Sequence, residues 1–125
     1  MRSEYSVEIF PDYLYVHITG EYDIKDFKAY AAIIAEEGRK ADRKKILVDG
    51  TGVNDLDISV LDRFILGEEV AYAFGYKFKA AFVWPRKYSH KIMEMTAQNR
   101  GARIEIFWNM KEAMEWLLKD VATDS

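Results

Sequence analysis

The stretch Lys44-Lys45-Ile46-Leu47-Val48-Asp49-Gly50-Thr51-Gly52-Val53-Asn54-Asp55-Leu56-Asp57-Ile58-Ser59-Val60-Leu61-Asp62 decides the fold. Ile46 to Val48 is an apolar run too short for a helix and rich in β-branched side chains, so it reads as a buried strand. Gly50 and Gly52 break it, and two glycines so close suit a tight backbone turn. Asp55 and Asp57 follow as helix N-cap candidates, because a short carboxylate accepts from the free N–H groups of a first turn. A helical pattern starts at about Ile58. Strand, glycine turn and capped helix is how an α/β domain sets polar groups at the carboxyl end of its sheet.

Composition narrows the class. The 125 residues suit one domain, 1–125. Half of them are apolar, enough for a core and too many for disorder. There is no cysteine, so disulfides and thiolate metal sites are excluded and a cytoplasmic location is the simplest expectation. Met1-Arg2-Ser3-Glu4 has no apolar signal core, and no run is long enough for a membrane span. A formal net charge of −3 argues against a nucleic-acid partner.

Outward from the central stretch, strands and helices alternate. Val7 and Ile9, then Leu14, Val16 and Ile18, alternate with polar neighbours on either side of the turn Phe10-Pro11-Asp12-Tyr13, which predicts an antiparallel hairpin. Asp23 caps a helix carrying Ile24, Phe27, Ala31 and Ile34, with Gly38 as its C-terminal cap. After the centre, Val60, Phe64, Gly67, Ala71 and Phe74 predict the buried stripe of a second helix ended by Gly75. Phe78 to Trp84 is a strand; Tyr88, Ile92 and Met95 mark a third helix; Ala102 to Trp108 is a last strand. Asn109 with Glu112 forms a capping box for a helix buried through Ala113, Met114, Leu117 and Val121. The order is β-β-α-β-α-β-α-β-α, an α/β domain with a mainly parallel mixed sheet opened by a hairpin and about four helices.

Three signatures resemble the STAS domain of bacterial anti-sigma-factor antagonists. They are Ile18-Thr19-Gly20-Glu21-Tyr22-Asp23 between hairpin and first helix, Val48-Asp49-Gly50-Thr51-Gly52-Val53 at the central turn, and Ala113-Met114-Glu115-Trp116-Leu117 in the closing helix. The Trp-Leu pair is closer to the SpoIIAA-like subgroup of uncharacterised proteins. The resemblance implies a non-enzymatic regulatory module that binds a protein partner, of anti-sigma or sensor type, through the turn and the start of the second helix. Antagonists carry Asp-Ser-Ser-Gly there, with the second serine phosphorylated. Asp57 matches the aspartate and Ser59 the phospho-acceptor, while Ile58 and Val60 replace the other two residues. Asp49, Thr51, Asn54, Asp55 and Asp57 are the candidate partner-binding residues.

Other constellations carry less. Asp49-Gly50-Thr51 resembles part of the nucleophile loop of haloacid-dehalogenase-like phosphatases, but Leu47 stands where the attacking aspartate belongs. Gly50-Thr51-Gly52 lacks the remainder of a phosphate loop. The three aspartates are better explained as caps than as a Mg²⁺ site, and His17 and His90 have no second ligand at metal spacing, so no metal or cofactor is expected. The aromatic cluster suggests an alternative function, a carrier of a small apolar, lipid-like ligand in a pocket lined by Phe64, Phe74, Phe82 and Trp84. Tyr5, Tyr13 and Tyr15 suggest an exposed patch for a homodimer. The basic run Arg39, Lys40, Arg43, Lys44 and Lys45 suits contact with anionic lipid or protein, but a solvated helix end complementing the C-terminal dipole of the first helix explains it more simply.

Overall fold

The computed structural model describes residues 2–54, 58–84 and 91–119. Its elements follow the expected order. They are β1 (Ser3–Ile9), β2 (Leu14–Glu21), α1 (Ile24–Ala41), β3 (Lys45–Asn54), α2 (Val60–Phe74), β4 (Lys79–Val83), α3 (Lys91–Asn99), β5 (Arg103–Phe107) and α4 (Met110–Leu118). The strands form one sheet in the order β1-β2-β3-β4-β5, with β1 antiparallel to β2 and the remainder parallel.

This strand order dictates where the helices go. Each crossover moves one strand along in the same direction, and right-handed connections then stack their helices on one face. Accordingly α1, α2 and α3 pack side by side over Val16, Ile18, Val48, Phe82 and Ile104. The last helix is not a crossover and takes the other face. There Ala113 and Leu117 of α4 bury Leu47, Ala81 and Val83. Thus β3 and β4 are covered on both sides, which explains their near-continuous apolar runs. The α4 face of β1 stays bare, with Glu4, Ser6 and Glu8 exposed on it, while Tyr15 of β2 is half-buried against the edge of the α4 cluster.

Several expectations need correction. The two central glycines do not make a turn, because β3 runs through them to Asn54. They are there for close approach. A Cβ on Gly50 would lie 2.2 Å from Cζ3 of the Trp84 ring, and one on Gly52 would lie 2.8 Å from Cγ2 of Thr19. Gly38 is not a cap either; it is buried inside α1 against Phe78 and Ile46, and the helix ends at Asp42, whose left-handed backbone donates to the Arg39 and Gly38 carbonyls. Asp23, Gly75 and Asn109 do cap α1, α2 and α4. Tyr5 shares a face with Ile18 and packs edge-on against Tyr30, whereas Tyr15 points to the other face, so the tyrosines of the supposed dimer patch do not form one surface.

Gly50→Ala tests the glycine–indole contact. The added methyl has nowhere to go without moving a ring that is itself buried, and overpacking of this kind costs about 3 kcal/mol. The variant should melt about 10 °C below the parent; an unchanged melting temperature would show that Trp84 does not constrain this strand.

Candidate functional site

The carboxyl end of β3 and the first turn of α2 meet beside the junction between β2 and α1. Tyr22 holds them there. Its backbone N–H donates to the Asn54 carbonyl at 3.2 Å, and its hydroxyl donates to Oδ2 of Asp62 at 2.8 Å. Burial, with help from that carboxylate, pushes the Tyr22 phenol well above its ordinary pKa, so it stays a donor. Ile58 is buried and anchors the segment entering the helix.

Ser59 caps α2. Its backbone is extended and its Oγ accepts from the Asp62 N–H at 3.1 Å. The residue is exposed. The aspartates expected to cap this helix, Asp55 and Asp57, lie outside the described residues; Ser59 does the capping, and the helix begins at Val60 rather than Ile58.

The buried side of α2 is Leu66, Gly67, Val70, Ala71 and Phe74. Val60 and Phe64, expected within it, face outward. Val60 is 61 % exposed, Leu61 66 % and Phe64 40 %. Spacings of three and four place these side chains on one side of the helix, so they form an apolar ridge beginning next to Ser59. The Arg100 guanidinium sits 5.4 Å from the Phe64 ring and closes its far end. Residue-by-residue reading missed the ridge because α2 is apolar around most of its circumference, and several stripes fit. The surplus is itself the signal: a helix with more large apolar residues than one buried face needs must expose some of them.

Asp49 occupies a different environment. It is buried on the α4 side of the sheet. Its Oδ2 accepts from the Tyr15 hydroxyl at 2.6 Å and lies 4.0 Å from Nε2 of His17. Its Oδ1 accepts from the Thr51 N–H at 3.0 Å and the Thr51 hydroxyl at 2.7 Å. Burial alone would raise the Asp49 pKa, but the hydrogen bonds from Tyr15 and Thr51 outweigh it and hold the carboxyl below its ordinary value. The same contact, after burial, pushes the Tyr15 phenol up. Asp49 is therefore an internal brace with its oxygens occupied. Thr51 and Asn54 are exposed at the strand end. Among the described residues no three histidine or acidic side chains gather as a metal site.

Phe74, Phe82 and Trp84 line an apolar cavity under α1 and α2, together with Phe27 and Met93; Phe64 does not. The free space is about 30 Å³. Ligand pockets run to about 300–1,000 Å³, so this one is a packing gap and is far too small for a lipid chain.

No family model matches the sequence, and no curated protein is similar to it. Solved structures do match. An anti-sigma factor antagonist from Mycobacterium paratuberculosis superposes with a TM-score of 0.64 at 12 % identity, covering 94 % of this chain and 95 % of the other. The fold is SpoIIAA-like. An uncharacterized protein from Shewanella loihica with a SpoIIAA-like fold gives 0.50 at 18 % identity over 92 % and 93 % of the two chains. The unphosphorylated form of SpoIIAA, itself an anti-sigma factor antagonist, gives 0.50 at 14 % over 90 % and 95 %. Among the described residues no helix is long and apolar enough to cross a membrane.

Two outcomes follow. Ser59→Ala removes the cap and should cost about 1 kcal/mol, while Ser59→Asp keeps an acceptor for the Asp62 N–H and should melt within a few degrees of the parent; equal losses for both would show that the cap is not the role of Ser59. The folded-state pKa of Asp49 lies below its unfolded value, so its contribution is present above about pH 4 and is lost as pH falls through the lower folded value. Thermal melts from pH 6 down to about 2 should fall less steeply for Asp49→Asn than for the parent; parallel curves would contradict this reading.

Proposed function

We propose that this chain is a non-enzymatic regulatory module that binds a protein partner, of anti-sigma or sensor type, through the end of β3 and the first turns of α2. The observation that carries the reading is the ridge of Val60, Leu61 and Phe64, exposed beside the capping hydroxyl of Ser59. Three large apolar side chains held outward on a rigid helix cost solubility unless another surface covers them. Thr51 and Asn54, exposed at the end of β3, are the polar residues we assign to this strand end of the docking surface. Fold likeness to proteins described as anti-sigma factor antagonists supports the reading. So does Asp49, whose oxygens are engaged and offer no free base.

Ser59 is the proposed phospho-acceptor. A phosphate there would add about −1.5 to −2 charges at a helix start. The α2 N-terminus favours an anion, and Asp62 in the first turn opposes it, so the fold is expected to change little. A partner covering the ridge would have to desolvate that charge, which is costly. Phosphorylation thus acts on binding and leaves stability nearly alone. The carrier alternative finds no support in a cavity of about 30 Å³.

The test is the affinity of the partner recovered from the source cell. Leu61→Lys and Ser59→Asp should each weaken it about thirtyfold or more, with melting within a few degrees of the parent. If both variants bind as the parent does, the docking surface lies elsewhere.

A further inference from the structure

The amino ends of the parallel strands carry a feature that the partner surface does not use. Lys45, Lys79 and Arg103 are register partners on β3, β4 and β5. Neighbouring strands lie about 4.8 Å apart, and like charges directly opposite destabilise a sheet. Lys79 is buried and its ammonium donates to the Trp116 carbonyl at 2.7 Å, at the end of α4. Lys45 and Arg103 have no such use. Together with Lys44 and Lys77, their side chains form no hydrogen bond or ion pair among the described residues.

These cations share one end of the molecule. Lys44, Lys77 and Arg103 border a hollow of about 510 Å³, with Arg39 and Tyr76 on its rim and Phe78 below. A second hollow of about 520 Å³ holds Lys44, Lys45 and Arg43. Asp12 and Asp42 are the acidic residues that line the two. Arg39 and Lys40 are explained by the C-terminal dipole of α1 and by ion pairs with Glu36 and Glu37. Lys44, Lys45, Lys77 and Arg103 lie outside that helix, so the dipole does not account for them. Tyr76 is 74 % exposed beside Lys77. A bare tyrosine among unpaired cations is the composition of a lipid–water interface.

We propose that this basic end docks reversibly on an anionic lipid surface. The hollows are open and their cations sit around the rims on several elements, so they would meet a charged plane together rather than converge on one small anion. The acidic balance of the whole chain argues against a nucleic-acid track, which needs a positive surface of some length. A membrane touches one end only, and the remainder of the molecule points away from it. In that orientation the ridge on α2, near the opposite ends of the strands, stays free.

The test is co-sedimentation with vesicles of phosphatidylcholine alone and with about 30 mol% phosphatidylserine. The protein should bind only the anionic vesicles, and binding should fall steeply between about 0.05 M and about 0.3 M salt. Lys44→Glu, Lys77→Glu and the milder Lys44→Gln are surface changes that should melt as the parent does. Each charge removed should lower partitioning about fivefold. Lys28→Glu, at an exposed position of α1, alters net charge as much as the other two Lys→Glu changes and should leave binding within about twofold, since its charge lies away from the docked end. Absence of binding to anionic vesicles, equal binding to neutral ones, or an equal loss with Lys28→Glu would overturn the proposal. Retention of a short RNA without vesicle binding would also overturn it and assign the surface to nucleic acid.

Discussion

The indole of Trp84 packs closely against Gly50, and the architecture of the upper end of the molecule depends on that contact. With any side chain at position 50 the ring would have to leave. It also stacks on Phe27 of α1 at 6.0 Å, so one side chain joins β4, β3 and the first helix. With the ring in place, β3 continues past the core to Asn54 instead of turning at Asp49. The end of β3 then reaches Tyr22, and Tyr22 reaches Asp62. The position of Ser59 and of the ridge behind it follows from this chain of contacts.

The parallel sheet separates two kinds of chemistry. β3 spans ten residues, or about 33 Å. Its carboxyl end adjoins the apolar ridge and the capping serine. Its amino end lies in a row of cations. On the α4 side of the sheet, Asp49 fastens Tyr15 and Thr51 across two strands. A brace of this kind ties the strand end down, which suits the proposed docking surface because affinity gains when geometry is set before binding.

The sequence revealed the fold through periodicity. Leu14, Val16 and Ile18 alternate as a strand facing one core must, and Asp23, Gly75 and Asn109 punctuate the helices by their own chemistry. It misled where the reason for a residue was a distant partner. Gly50 and Gly52 look like turn residues because glycine usually frees the backbone; here it admits Trp84 and Thr19, far away in sequence. Likewise Val60 and Phe64 fit a buried stripe as well as Leu66 and Val70 do, and only the neighbouring helices decide which stripe is covered. Ser59 stands out as a candidate phospho-acceptor by its place in a motif, whereas its capping role is legible only from the backbone. The row formed by Lys45, Lys79 and Arg103 needs the strand register, which no local pattern supplies.

The central claim is that the end of β3 and the first turns of α2 form the docking surface. Amide hydrogen exchange, followed by mass spectrometry with and without the partner, tests it most directly. The account predicts slowed exchange confined to residues 51–54 and 58–64, with the strand amino ends around Lys44, Lys77 and Arg103 unchanged. Protection at those cations, with none across 58–64, would contradict it.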